Sequence, residues 1–581
     1  MANFYTDNED IKFLFGHMDI ARTADIMEEG FRFCEEFDYA PENADDAIDN
    51  YERILETIGQ ISADEIAPTA EETDIVGNVL NDDGSVTYAP GIANALMRLT
   101  QADMMGFTLP YRFGGINCPN LVYTMSNEII SRADAALMNI YGLQGIAETI
   151  NAFASEDIKQ QYLHEMSGGW TGAMVLTEPD AGSDLQAVKV RAYQDEEGNW
   201  FVHGVKRFIT NGCGEVLLVL ARTEPDISDG RGLSLLVVDR GPTVKIRRLE
   251  HKLGINGSPT CEIFFDNSPA QLIGDRQRGL ITYVMSLMNG ARVGIAAQSL
   301  GIGEAAFRAA REYGRARKQF GAPIDTFPAV RELLVNMQLD IQAARTLTYY
   351  ASFCVDIENG ALRGLESEAA KTDKELRKDF KQQARKIGRY NKVLTPMSKY
   401  YASEMSMRVA NDSIAVLGGS GYMKDYACER HLRDSRITTI YEGTSQLQVL
   451  AAVAGVTSGT AGTIIADLLD RTWPVEIRPL VDQISRGAEL LAECVAFVKE
   501  QPGATHRDLY ARKMTDMALY LIVGALFCDQ ATASETKHAV VRRWLAWRLP
   551  EIRMDAEMIK SGDTQIVEEF EILAGPVPIV E

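Results

Sequence analysis

The sequence predicts an α+β protein of several domains: an N-terminal α-helical domain, a middle β-barrel or β-sandwich domain, a C-terminal four-helix bundle and an additional C-terminal α-helical domain. Three observations support this prediction. Apolar residues recur at helical spacing in the first and third regions, short alternating runs fill the second, and a small-residue segment at 456–463 precedes the last. The predicted domains are residues 1–168, 169–277, 278–455 and 456–581.

Turn sequences and apolar runs define the elements within these domains. One long helix is predicted over residues 281–320, ending at a Gly and a Pro, and 456–463 is predicted to be a linker. The charged segment 361–392 predicts a solvated helix or helical hairpin, with a docking patch for the phosphates of a ligand or for a partner as the alternative. The predicted strands are residues 188–193, 200–205, 216–221, 233–238 and 261–265.

Composition narrows the classes of function. The chain has 58 Lys and Arg against 82 Asp and Glu, and this net charge of −24 argues against broad nucleic-acid binding. Eight cysteines without a C-x-x-C pair, and seven histidines without ligand spacing, predict no metal site and a reducing, cytoplasmic compartment. The N-terminus predicts no signal or transit peptide, and the apolar run 517–528 predicts a buried helix too short to span a bilayer.

Two motifs lie in the predicted β domain. Residues 176–184 read Leu-Thr-Glu-Pro-Asp-Ala-Gly-Ser-Asp, which is typical of a turn but also of a backbone-lined loop that binds a flat ring and a phosphate. Residues 206–212 read Lys-Arg-Phe-Ile-Thr-Asn-Gly. Their aromatic residue is either a core side chain or the cover of a planar cofactor.

Two further motifs lie in the second helical region. Residues 313–321 carry cations at a helix C-terminus, which complement the helix dipole or reach a pyrophosphate. A Gly-rich turn at 416–422 is followed by Tyr-Glu-Gly-Thr-Ser-Gln, in which Glu442 is either a helix cap or a base in a water-poor site. By contrast, the G-x-G-x-x-A string at Gly301 lies inside a helical pattern, which predicts close helix packing rather than a dinucleotide site.

Together these motifs resemble the acyl-CoA dehydrogenase family over residues 90–455, and the longer chain is most similar to the branch with 3-methylmercaptopropionyl-CoA dehydrogenases. The resemblance implies an FAD between the β domain and the second helical domain. Phe208 takes the place of a usual Trp on the flavin. The implied FAD-binding residues are Met174, Leu176, Thr177, Gly182, Ser183, Phe208, Thr210, Arg317, Gln319, Phe320, Gly418, Gly419, Thr444 and Gln446.

The resemblance also implies the chemistry, an α,β-dehydrogenation of an acyl-CoA thioester to the trans-2-enoyl-CoA. Glu442 matches the family's base, and some relatives place their base where this chain has Ala291, which cannot act as one. Three positions depart from common family residues: Asn256 replaces an Arg, Ala316 a Glu and Ala415 a Gln. The implied substrate-binding residues are Ser183, Asn289, Arg292 and Tyr441.

Partners follow from the same resemblance. The electrons are expected to pass to an electron-transfer flavoprotein; the alternatives are an acyl-CoA oxidase that uses oxygen and a DNA-associated flavoprotein of the same fold. The additional C-terminal domain is expected to favour a homodimer. We expect no nucleic acid as a partner and no membrane insertion.

Overall fold

The computed structural model of the protein describes residues 2–577. The chain divides into two compact units. The first contains the residues up to Gly360 together with Tyr401–Thr444, and the second contains Ala361–Tyr400 and the residues from Ser445 onward. Helices dominate both units, and a β domain lies within the first, so the predicted fold class is confirmed. The predicted domain boundaries remain a prediction.

The first unit begins with helices and one small hairpin of strands β1 (Val79–Leu80) and β2 (Val86–Thr87). Asn8, Asp19 and Asn43 accept hydrogen bonds from backbone N–H groups at the starts of the first three helices, which explains where those helices begin. The helices are α1 (Glu9–His17), α2 (Ile20–Met27), α3 (Ala44–Ile61), α4 (Ala70–Val76), α5 (Pro90–Gln101), α6 (Asn120–Ala133), α7 (Ala135–Tyr141), α8 (Gly145–Phe153) and α9 (Glu156–Ser167).

The β domain is a closed barrel. Strands β6, β4, β5, β9 and β7 pair in that order and β7 pairs again with β6, while β3 flanks β6 and β8 flanks β9. The alternation of the sequence therefore predicted a barrel or sandwich correctly, but β3 and β8 were not predicted. The strands are β3 (Gly172–Val175), β4 (Arg191–Gln194), β5 (Trp200–Thr210), β6 (Val216–Arg222), β7 (Leu233–Asp239), β8 (Val244–Leu249) and β9 (Thr260–Ile273).

The long helix α10 (Met285–Ala316) organises the first unit, packing against α6, α7, α8 and α14 (Cys428–Thr438). A Cβ at Gly301 would lie 2.5 Å from the Glu128 carbonyl oxygen, so this glycine permits close contact with α6, as predicted. The predicted helix extends too far, because the chain turns after Ala316 into a hairpin of β10 (Lys318–Gln319) and β11 (Ala322–Pro323).

Two long helices, α11 (Pro328–Glu366) and α13 (Lys374–Leu417), contribute residues to both units, with the short α12 (Glu368–Thr372) between them in the chain. The charged segment 361–392 lies here and is largely exposed and helical, as predicted. In the second unit, α19 contacts α15, α16, α17 and α20. These and the remaining helices are α15 (Ser445–Thr457), α16 (Thr460–Leu469), α17 (Arg478–Glu500), α18 (Thr505–Leu509), α19 (Ala511–Ala531), α20 (Glu535–Lys560), α21 (Gln565–Glu568) and α22 (Phe570–Leu573).

The predicted linker at 456–463 is wrong. Helix α15 continues to Thr457 and α16 begins at Thr460, with a bend of 70° between them. Gly459 has a φ of 90°, a left-handed conformation that lets the chain bend sharply within two residues. The small residues therefore build a sharp helix junction.

The apolar run 517–528 is buried, as predicted, but it lies within the longer helix α19 of 21 residues. By length and composition alone, Gly279–Ala316 and Ala511–Ala531 are long and apolar enough to cross a membrane, and the bent pair α15–α16 makes a third candidate. In α19, 83% of the most apolar window is already covered by the rest of the chain. Helical packing therefore accounts for its apolar character.

A buried ion-pair network joins the N-terminal segment to three helices. The Arg345 guanidinium is fully buried and lies 2.5 Å from Asp10, 2.6 Å from Glu128 and 2.7 Å from Glu304. Since an unpaired buried charge is costly, the four side chains depend on one another.

Candidate active site

The loop at residues 176–184 is held by a buried ion pair. Lys206 is fully buried; its Nζ lies 2.9 Å from Glu178 Oε1 and donates a hydrogen bond of 2.7 Å to the Leu176 carbonyl. The Glu178 carboxylate also accepts from the backbone N–H groups of Lys189 at 2.7 Å and Val190 at 2.9 Å. Burial lowers the pKa of Lys206 to about 8, and the charge of Glu178 opposes that shift.

Strand β5 places an aromatic ring next to this loop. The register of β5 against β9 shifts between Lys206 and Ile209, and Phe208 in this bulge has a φ of 61°. The ring is 51% exposed although it lies on a barrel strand. The backbone N–H of Arg207 donates to the Thr177 carbonyl at 3.0 Å, so the structure brings the first two motifs together.

Three hydroxyl groups border this surface. Thr177 and Ser183 lie on the loop, and Thr210 ends β5 opposite Thr260 of β9. Their hydroxyls make no hydrogen bond to another residue in the part of the chain that the structure describes. Met174 and Leu176 lie beneath them in the core, and Gly182 is exposed on the loop.

The second pair of motifs meets at the C-terminal end of α10. The Tyr313 hydroxyl lies 3.2 Å from Ser420 Oγ, which ties the helix to the turn that contains Gly418 and Gly419. A Cβ on either glycine would meet no heavy atom within 4 Å, so this backbone borders open space. Beyond the helix, Phe320 is 97% exposed with a φ of 51°, and Arg317 and Gln319 are exposed beside it.

Glu442 lies in the turn between α14 and α15. It has a φ of 53° and Gly443 has a φ of 87°, so two consecutive residues are left-handed. This conformation costs about 1–2 kcal/mol for a residue with a side chain, and such strain is frequently found at functional sites. Thr444 follows in the same turn, and α15 then begins at Ser445.

Side chains from two other helices hold Tyr441, the residue before Glu442. The Tyr441 hydroxyl lies 3.0 Å from Asn139 Oδ1 and donates to Gln298 Oε1. Gln298 Nε2 in turn donates to Asn139 Oδ1 at 2.7 Å and to the Ala135 carbonyl at 2.8 Å. Gln298 and Asn139 were not predicted from the sequence, although Gln298 stands out as a polar residue inside the apolar run of α10.

Arg292, one of the predicted CoA-binding residues, lies near enough to Glu442 for their charges to interact. Arg292 Nη1 donates to Asn289 Oδ1 at 3.2 Å one helical turn away. Burial lowers the pKa of Arg292, and the nearby charge of Glu442 opposes this shift. Arg292 Nε is buried with no hydrogen-bond partner among residues 2–577, which leaves a donor for a bound anionic or carbonyl group.

A shared core connects the loop at residues 176–184 with the start of α10. Leu176 and Ala181 of the loop belong to one hydrophobic cluster with Tyr283, and Met174 and Met288 pack against that cluster. Of the predicted site residues, Gln446 alone belongs to the second unit, where it is exposed on α15.

Asn256 stands where an Arg is common, and its side chain contacts Asp74. Asn256 Nδ2 donates to Asp74 Oδ1 at 2.9 Å, and Arg433 Nη2 lies 2.7 Å from Asp74 Oδ2. Arg433 of α14 therefore supplies the cation at this carboxylate.

These residues fit an FAD in their chemistry. The loop and β5 offer unpaired hydroxyls and an exposed ring, which suit the polar edge and the apolar face of an isoalloxazine. Arg317 and the open backbone at Gly418 suit a pyrophosphate, which needs positive charge and close approach.

Family models match most of the chain. They are the acyl-CoA dehydrogenase N-terminal domain at residues 49–169, the middle domain at 173–268, the C-terminal domain at 278–373 and 378–456, and a further acyl-CoA dehydrogenase C-terminal model at 457–561. All four candidate motifs lie within the middle and C-terminal domain models.

Three curated relatives are similar to the chain. An acyl-CoA dehydrogenase of Bacillus subtilis is 34% identical over 63% of this chain and 90% of its own length. A 3-(aryl)acrylate reductase of Clostridium sporogenes is 32% identical over 70% and 98%. A 3-methylmercaptopropionyl-CoA dehydrogenase of Ruegeria pomeroyi is 30% identical over 69% of each.

A solved structure matches nearly the full length. The acyl-CoA dehydrogenase of Bacillus anthracis, complexed with FAD, has a TM-score of 0.74 at 21% identity and covers 92% of both chains. At this identity the match speaks for the fold, including its additional C-terminal helices.

Proposed function

The chain belongs to the acyl-CoA dehydrogenase family of FAD-dependent oxidoreductases, and we propose that it converts an acyl-CoA thioester to the trans-2-enoyl-CoA with Glu442 as the base. One observation carries this proposal. Glu442 stands in a left-handed turn beside the partly buried Arg292, and Tyr441 next to it is held by two buried amides. A carboxylate held in this way has a fixed direction toward a bound thioester.

The reaction breaks two C–H bonds. The Cα proton passes to the Glu442 carboxylate, the electron pair left on Cα forms the new double bond, and a hydride leaves Cβ. FAD, when bound, supplies the acceptor for that hydride. The backbone N–H of Glu442 is expected to polarise the thioester carbonyl, which stabilises the charge that develops as the α-proton leaves.

Other side chains bind and orient the substrate. We assign Asn289, Arg292 and Ser183 to the CoA portion and Tyr441 to the wall of the acyl pocket. The Nε of Arg292 is buried and has no hydrogen-bond partner among the described residues, which supports the first assignment. Ala291, one residue before Arg292, offers no second base on α10.

The FAD site is proposed to consist of the two surfaces described above. Met174, Leu176, Thr177, Gly182, Ser183, Phe208 and Thr210 form the flavin side. We propose that Arg317, Gln319 and Phe320 reach the FAD of a second copy in a homodimer, because the 97% exposed Phe320 has almost no cover from its own chain. Gly418, Gly419 and Thr444 complete the proposed set within the first unit, and Gln446 stays a prediction from the family resemblance.

We further propose an electron-transfer flavoprotein as the physiological acceptor and a cytoplasmic location. All eight cysteines are free thiols, which suits a reducing compartment. The name of the Clostridium relative shows that a similar chain is a reductase, so the direction of the reaction must be measured as well.

A panel of CoA esters tests the proposed function. The FAD-loaded protein is mixed anaerobically with saturated linear, branched, sulfur-containing and dicarboxylic thioesters, and flavin bleaching is recorded together with the enoyl-CoA product. Bleaching with stoichiometric enoyl-CoA supports a dehydrogenase. A flavin that none of the esters reduces contradicts the proposal. So does a protein that, with a reduced donor present, preferentially passes electrons from its flavin to an enoyl-CoA.

A further inference from the structure

The turn that carries Glu442 is conformationally demanding. Two consecutive left-handed residues, of which only Gly443 is a glycine, cost an amount comparable to one buried hydrogen bond. Such a turn keeps its shape only where neighbouring contacts fix it. The contacts of Tyr441, immediately before the turn, therefore bear directly on the direction of the Glu442 side chain.

Tyr441 provides such contacts from both its backbone and its side chain. Its N–H donates to the Ile437 carbonyl at 3.1 Å, which closes the end of α14. Its hydroxyl, the only polar group of the side chain, faces the amide oxygens of Gln298 and Asn139. Burial and the charge of Glu442 raise the pKa of Tyr441, so the hydroxyl stays a donor throughout the physiological range.

Gln298 is fixed more firmly than Tyr441. It is fully buried on α10, and both N–H groups of its amide are used, one on Asn139 of α7 and one on the Ala135 carbonyl. The backbone carbonyl of Gln298 also accepts from Ser131 Oγ of α6 at 2.7 Å. Because the amide nitrogen is committed on both sides, the amide oxygen can point only toward Tyr441.

We propose that Gln298, oriented by Asn139, is a positioning residue for the dehydrogenation: it fixes Tyr441 and thereby the left-handed turn that presents Glu442 to the α-carbon. The inference rests on the proposed role of Glu442. It assigns a function to a buried polar side chain that makes no contribution to FAD binding in the proposed site. Loss of this contact lets the turn relax and misdirects the carboxylate, which lowers the rate of proton removal more than substrate affinity.

The test compares Gln298→Met, which keeps the length of the side chain but removes the amide, with Tyr441→Phe, which removes one oxygen atom. The double variant and the control Ser299→Ala complete the set. Ser299 is also fully buried on α10, but its hydroxyl bonds only the Ile295 carbonyl of its own helix at 2.8 Å. Each FAD-loaded variant is reduced anaerobically by the acyl-CoA that reduces the wild type fastest, with and without deuterium at the α-carbon.

We expect Gln298→Met and Tyr441→Phe each to lower the rate constant of flavin reduction by about 10-fold and to raise the α-deuterium isotope effect, with KM within about 2-fold. The double variant should be no slower than the slower single variant, because both changes remove the same contact. Ser299→Ala should behave as the wild type.

Other results overturn the inference. The inference is wrong if Gln298→Met leaves the rate of flavin reduction and the isotope effect unchanged. It is also wrong if the rate reductions of the two single variants multiply in the double variant. If Gln298→Met loses FAD or fails to fold, Tyr441→Phe with its unaltered amide pair decides alone. A wild type that no acyl-CoA reduces defeats the proposed function itself, whereas an active wild type with an equally active Gln298→Met defeats only this inference.

Discussion

The buried ion pair of Lys206 and Glu178 offers a quantitative test of how the loop at residues 176–184 is held in place. Lys206→Met removes the cation and the hydrogen bond of 2.7 Å to the Leu176 carbonyl, while Glu178 keeps its two backbone donors. Breaking a fully buried ion pair costs about 3–5 kcal/mol, because the remaining charge stays in a poorly solvated site. Because two backbone N–H groups still bind the Glu178 carboxylate, we expect the loss of unfolding free energy at the lower end of this range, about 3 kcal/mol.

Denaturant unfolding of the FAD-free protein measures this loss, and fluorescence titration measures FAD affinity, which should fall by about 10-fold or more as the loop loosens. Lys206→Met combined with Glu178→Gln should be less destabilised than Lys206→Met alone, since no buried charge remains. Lys189→Met is the matched control: its side chain is exposed shortly after the loop in the chain, and its effect should stay within about 0.5 kcal/mol. If Lys206→Met resembles Lys189→Met in both measurements, the ion pair does not hold the loop.

Two further predictions concern buried charges elsewhere in the first unit. Burial raises the pKa of Asp434 to about 7 from its ordinary 3.8, against the attraction of Arg430, so the folded state holds a proton that the unfolded state has lost between these values. The stabilisation that this proton gives the folded state is present below pH 3.8 and is lost as the pH rises through 7. The unfolding free energy of the wild type minus that of Asp434→Asn should therefore fall by roughly 1.4 kcal/mol per pH unit between these values. A difference that stays constant with pH would refute the prediction. Arg345→Met should cost about 4 kcal/mol or more in thermal or chemical unfolding, because it removes the cation that three buried carboxylates share; Glu304 keeps Arg308 at 2.6 Å, whereas Asp10 and Glu128 lose the guanidinium that pairs with them. Arg53→Met, at an exposed pair, should cost less than about 0.5 kcal/mol, and equal effects of the two changes would contradict the network's role.

Local patterns in the sequence predicted much of the fold. The helical spacing before residue 168 and the alternating runs of the β domain depend on neighbours within one turn or one strand, and these elements are present. The helix start beside Glu442 was also predictable, because a turn of small residues precedes an apolar helix.

Features set by distant contacts were not predictable. Gln298 and Asn139 meet Tyr441 across separations of 143 and 302 residues, and no local pattern links them. The exposed ring of Phe208 depends on a register shift against β9, which its own strand does not encode. The linker predicted at 456–463 was wrong because Gly, Ser and Thr favour linkers, whereas here one left-handed glycine joins two packed helices.

The central claim, that Glu442 removes the α-proton, is tested most directly by a single turnover of Glu442→Gln. The variant keeps the size and hydrogen-bonding shape of the side chain but has no basic carboxylate. Mixed anaerobically with an acyl-CoA that bleaches the wild-type flavin, it should keep FAD and bind the thioester. Its flavin reduction should be slower by about 10⁴-fold. Reduction at a rate near that of the wild type would contradict the account.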